Sequence, residues 1–134
     1  MKHTKILLAF SVVVIMLFVV GCSGISVTTR WSYTGLSQNN QIDSWTINAT
    51  TIDGLAERNL DLSAAELATI EVDSNDNVGA VTLVLIQGDI TEVFELSRGF
   101  NGILDTSNFE AGQILMRLNF VNARAVDLSV NWGR

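Results

Sequence analysis

The chain is 134 residues long, 48% apolar, and sets 8 Lys and Arg against 14 Asp and Glu for a net charge of −6. Surplus carboxylate repels phosphate backbones, which excludes nucleic acid as a partner, and a single cysteine excludes an intrachain disulfide. The length admits one domain able to bury about two-thirds of its unfolded surface, so the core must supply the stability.

The first residues, Met1-Lys2-His3-Thr4-Lys5, are positively charged, and Ile6 to Val20 follow with Ser11 as their only polar member. This is the charged start and apolar run of a secretory signal. The run is shorter than the roughly 20 apolar residues that a bilayer-crossing helix needs, and it ends in Val19-Val20-Gly21-Cys22. That ending resembles the lipobox of bacterial lipoproteins. The resemblance implies removal of residues 1–21, acylation of Cys22 and a mature domain over 22–134 held at the cell envelope. Ser23 implies an outer-membrane destination if the host is Gram-negative. The mature chain then has six Arg, no Lys and no His against fourteen carboxylates, a net charge of −8. Attachment to the membrane is thus expected through the lipid anchor alone.

Beyond Cys22 the pattern is alternation with period two, broken by Gly, Asn and Asp, which predicts antiparallel strands. Ile25, Val27, Thr29, Trp31 and Tyr33 share one parity, so a regular first strand turns both rings into the core. Trp45–Ile52 and Leu55–Leu62 read as a hairpin around Asp53-Gly54. Ser63 and Glu66 have capping-box spacing and predict one short helix, after which Thr69, Ile70 and Val72 favour a return to strand. Val81–Gln87 and Ile90–Leu96 read as a hairpin around Gly88-Asp89. Val81–Ile86 is apolar enough to be covered on both faces.

Ser97 to Gly112 is the longest irregular stretch. Ile114–Val121 and Ala125–Trp132 then read as a last hairpin joined by Asn122-Ala123-Arg124, with Trp132, like Trp45, on the core parity. The fold class expected is all-β, an antiparallel two-sheet sandwich of about eight strands. The Leu104–Ile114 segment resembles the crossover before a late strand in immunoglobulin-like sandwiches, with Ile114 where those domains commonly carry a capping Tyr. The resemblance implies a fold class and brings no functional residues.

Catalytic chemistry is narrowed by subtraction. A mature chain without His, Lys or a free thiol has no Ser-His-Asp triad, no thiolate nucleophile, no Schiff base and no His or Cys zinc site. Carboxylate pairs remain, as in glycosidases: Asp73 with Asp76, Glu92 with Glu95, and Asp105 with Glu110. Each reads more simply as solvated or turn chemistry, so no enzyme is expected. Asp73, Asn75 and Asn77 match the first, third and fifth positions of a calcium loop, but Val78 and Val84 stand where Gly and Glu are required. This leaves a looser Ca²⁺ site at Asp73, Asn75 and Asp76, set against a plain polar turn between Ile70–Val72 and Val78–Leu85; no other cofactor is expected.

Phe100 and Phe109 either pin the long loop or present an apolar tip to a partner. Ser26, Thr28, Ser32 and Thr34 beside Ser44, Thr46 and Thr50 would form a hydroxyl-rich face if the first two strands were neighbours, either merely solvated or able to bond a glycan. The leading functional expectation is a lipid-anchored, non-catalytic accessory module that binds an envelope protein. The alternative is a small-ligand module for glycan or Ca²⁺.

Overall fold

Alternating apolar residues build nine elements in the computed structural model, which describes residues 27–133: β1 (Val27–Thr34), β2 (Ser37–Asn40), β3 (Ser44–Leu62), α1 (Ala64–Leu67), β4 (Glu71–Ser74), β5 (Val78–Gln87), β6 (Ile90–Glu95), β7 (Phe100–Ile103) and β8 (Gly112–Asn131). The signal segment, Cys22 and the start of the first expected strand lie outside the described residues. All strand pairings are antiparallel. The all-β sandwich expected from the alternation is the observed fold, with α1 its short helix.

β3 and β8 pair along nearly their whole lengths, from Ser44 opposite Asn131 to Leu62 opposite Gly112. Both are interrupted midway, and the other strands attach to one half or the other. The first half of β3 and the second half of β8 carry β2, β4 and β7; the second half of β3 and the first half of β8 carry β1, β5 and β6. The two layers enclose one cluster that includes Trp45, Ile47, Val72 and Leu128 from one and Ile52, Leu83, Met116 and Phe120 from the other.

The inward parity of β3 changes between Ala49 and Ile52, where the ladder with β8 skips Thr50. Trp45, Ile47 and Ala49 are buried, and then Ile52, Ala56, Leu60 and Leu62. A uniform strand would turn one of these sets to solvent. Between the pairs Ile52–Ala123 and Gly54–Phe120 the register slips by one residue, a β-bulge. Gly54, Asn122 and Ala125 have positive φ angles of 126°, 48° and 55°. Gly54 is required because a Cβ there would collide with the Arg30 carbonyl oxygen and lie 2.7 Å from Trp31 Cα.

Two of the three expected hairpins are therefore corrected. Asp53-Gly54 and Asn122-Ala123-Arg124 are bends within single long strands, because a bulge breaks alternation with the same Gly, Asn and Asp residues that make a turn. The β5–β6 hairpin is as expected, closing at Gln87 opposite Ile90, and Val81, Leu83, Val84 and Leu85 of β5 are all buried. Ser63 and Glu66 form the expected reciprocal capping box on α1. The polar stretch after β4 is no hairpin turn, since β4 and β5 pair with different halves of β8 and not with each other. It carries the chain past the bend from one layer to the other.

Arg58 was not anticipated inside. Only 3% exposed, it donates from Nη1 to the Ser44 carbonyl at 2.9 Å and from Nη2 to the Gln41 carbonyl at 2.8 Å. Its guanidinium lies 5.7 Å from the Trp45 ring centroid and 5.1 Å from that of Trp132. Burial pulls its pKa below the ordinary guanidinium range. The ion pair found among the described residues is Arg117 with Glu57, at 3.0 Å, so Arg58 is held by carbonyls and indole faces.

Candidate functional site

The site begins with β1 outrunning the core. Trp31 pairs with Gly54 and Tyr33 with Ile52, so Tyr33 stands where β3 turns away into the other layer. Trp31 packs against the core, whereas Tyr33 is 53% exposed. Shared parity with the aliphatics therefore predicts Trp31 approximately and fails for Tyr33: alternation fixes the face of a strand but not how far the opposing layer extends. The Trp31 ring braces that of Tyr33 edge-on, with centroids 6.2 Å apart at 81°, and it also touches Phe120 at 6.4 Å. An edge-to-face pair of this kind holds an aromatic ring in place while its other face stays open.

Around Tyr33 the bend forms an open groove of about 660 Å³, lined also by Ser32, Thr34, Thr51, Asp53, Asn122 and Arg124. A second hollow of about 550 Å³ adjoins it, lined by Gly35, Asn48, Thr50, Thr51 and Arg124 among others. Thr51 and Arg124 belong to both. Both volumes fall in the range of small-ligand sites. Thr34 and Thr51 share a hydroxyl bond of 2.6 Å, and the Asp53 carboxylate accepts the Asn122 amide at 3.3 Å. Arg124 sits between Asn122 and Ala125, two non-glycine residues in the left-handed region. Such conformations cost on the order of 1 kcal/mol or more each and cluster at functional sites.

The residues singled out from sequence lie elsewhere. Asn75 is not free to ligate a metal: its Nδ2 donates to the Ala125 carbonyl at 2.7 Å, and its Oδ1 accepts the Asp127 amide at 2.9 Å. It stands in for strand backbone across the irregularity in β8. Asp73 lies on β4 opposite Asn101 and Ser129, and Asp76 is exposed in the crossing segment. Among the described residues no group of three or more His, Cys, Asp or Glu side chains is placed to hold a metal ion. Phe109 is buried at 7% exposure and Phe100 packs against the core. The apolar-tip reading is thus corrected: the two rings pin the long loop.

The carboxylate pairs resolve into local contacts. Glu95 accepts from the Ser97 hydroxyl and Glu92 from the Asn108 amide. Asp105 accepts the Ser107 hydroxyl at 2.7 Å and the Ser107 amide at 3.1 Å, bonds that hold its carboxyl below the usual 3.8. The expected hydroxyl face also changes. β1 pairs with Thr51–Arg58 of β3, so Ser44, Thr46 and Thr50 lie outside that pairing, and Ser44 is buried.

No family model matches the chain, and no curated protein matches it. Among solved structures it is similar to a mutant of a family 29 carbohydrate-binding module studied for its ligand recognition, at 11% identity over 80% of this chain and 83% of that one, with a TM-score of 0.35.

Proposed function

We propose that the protein is a lipid-anchored, non-catalytic saccharide-binding module of the cell envelope, with the groove at the bend as its site. The observation that carries the reading is Tyr33, an aromatic ring left half in solvent and braced by Trp31 at the mouth of a groove of hydroxyl, amide and charged groups. Sugars present apolar C–H faces and rims of hydroxyls, which an aromatic face and a few convergent polar groups complement. The groove lies at the far end of β1, about 20 Å along the strand from Val27. A chain tethered at Cys22 then has length enough to hold the site clear of its attachment point.

The test is an oligosaccharide panel probed with the purified protein and with Tyr33→Ala. Binding by the parent, lost in a variant whose circular dichroism is unchanged, is the expected result. A panel bound equally by both proteins, or by neither, would rule the groove out as a saccharide site.

A second observation favours an envelope protein partner. β6 pairs with β5 alone among the described strands and exposes Val93 at 62% and Ile90 at 38%. An open edge of this kind can accept a strand from another chain. Photo-crosslinking in native membranes, with Cys22→Ala as the unanchored control, reads this out. One stoichiometric partner lost in the control would support it, and no captured partner would count against it.

A further inference from the structure

Arg124 is the residue at the bend whose charge has no counterpart. It lies on β8 opposite Thr51 on one side and Val78 on the other, and it lines both hollows. It forms no ion pair with the described carboxylates, the one pair found being Glu57–Arg117. The nearest acid in the Tyr33 groove, Asp53, already receives the Asn122 amide. In the adjoining hollow none of the described lining residues is acidic, and Arg124 is the charged member beside Asn48, Thr50 and Thr51.

Arg124 is thus the exposed, charged residue of an open, carboxylate-free hollow that also carries Asn48, Thr50 and Thr51, in a domain whose sequence holds fourteen Asp and Glu. Its guanidinium offers the planar fork that matches a carboxylate through two parallel hydrogen bonds. The hydroxyls and amide around it can serve the remaining lone pairs of such an anion.

We infer that the site takes an acidic saccharide, with a sugar ring against Tyr33 and the carboxylate of a uronic acid unit seated on Arg124 in the adjoining hollow. The inference rests on the saccharide reading of the groove and adds the chemical class of its ligand. Asp53 sits on the Tyr33 side of the shared wall, so the anion and the protein's own carboxylate need not meet. The −8 charge expected of the mature chain disfavours anions over the rest of the surface, which makes Arg124 a specificity element.

Titration calorimetry on the full chain in neutral detergent micelles tests this with two matched probes, a galacturonic acid oligosaccharide and its methyl ester. The acid form should bind roughly ten-fold or more tightly than the ester, the scale of one charge-assisted contact. Arg124→Gln should erase that preference, bringing the acid form to the affinity of the ester, while Tyr33→Ala should weaken both probes. As a measure that needs no variant, added salt should weaken the acid form and spare the ester. Equal binding of acid and ester by the parent, or a preference that survives Arg124→Gln, would overturn the inference and leave the saccharide reading standing. Failure of both probes, together with an unbound neutral panel, would overturn the two together.

Discussion

Replacing Arg58 with Met should change stability by less than about 1.5 kcal/mol, whereas Arg58→Ala should cost about 3 kcal/mol. The guanidinium gains two charge-assisted bonds, at 2.9 and 2.8 Å to the carbonyls of Ser44 and Gln41, each worth about 1.5–3 kcal/mol net. Two indole faces within 6 Å add about 1 kcal/mol apiece. Against this stand the several kcal/mol needed to desolvate the cation and a buried Nε without a partner, a further 1–3 kcal/mol. The two sides nearly cancel.

Little is orphaned when the charge goes. The Ser44 carbonyl still accepts the Gln41 amide at 2.9 Å, and Gln41 is exposed to water. Met keeps the volume between Trp45 and Trp132, but Ala deletes two buried methylenes at about 0.8 kcal/mol each together with the guanidinium and leaves a cavity. Urea denaturation of parent, Met and Ala proteins, followed by tryptophan fluorescence, gives the three stabilities. A Met variant as unstable as the Ala variant would refute the reasoning, because the charge and not the packed volume would then dominate.

Gly54→Ala should cost about 2–4 kcal/mol in thermal denaturation, since the new methyl meets the Arg30 carbonyl and Trp31 Cα in a left-handed backbone. Gly88→Ala, with a φ of 57° and open space around it, should cost only about 1 kcal/mol. Asn75→Ala should cost about 1–3 kcal/mol through its lost bonds to Ala125 and Asp127. Millimolar calcium should leave the parent's melting temperature unchanged, because that side chain is committed to β8. Asp105 has its carboxyl held below 3.8 by the Ser107 hydroxyl and then the Ser107 amide, so its stabilisation is present above the unfolded value and is lost as pH falls through the lower folded one. In Ser107→Ala the NMR titration of Asp105 should move up toward 3.8, and an unmoved midpoint would discount the hydroxyl.

Strand content, the buried Trp45 and Trp132, the capping box and the Gly88-Asp89 hairpin were legible because each is set by neighbours within a few residues. The mistaken hairpins at Asp53-Gly54 and Asn122-Ala123-Arg124 have a physical cause. A β-bulge and a tight turn use the same residues, and only the partner strand decides between them. Tyr33 was misread for a related reason. Parity tells which face a side chain takes, but whether that face meets core or water depends on where the other layer ends. One signal was available for the site: two punctuated bends, one in each of the two longest apolar patterns, are what paired strands need if they are to bend together. Arg124 lies in one of them and Asp53 in the other.

The bend that lets two strands serve two layers also shapes the groove, and Ala125 tests how far the two roles are coupled. Its φ of 55° places Cβ against its own carbonyl, a strain of about 1–2 kcal/mol that glycine lacks. Ala125→Gly should therefore stabilise the fold by about 0.5–1 kcal/mol once the added freedom of the unfolded chain is subtracted, raising the melting temperature by a few degrees. The same change loosens the backbone next to Arg124, so affinity for the uronate probe should fall while stability rises. If affinity instead holds, Arg124 is positioned by its pairing with Thr51 and Val78 and not by the strained corner. A drop in stability would mean that the left-handed conformation carries no strain here, and that the two bent strands reach their shape at no local cost.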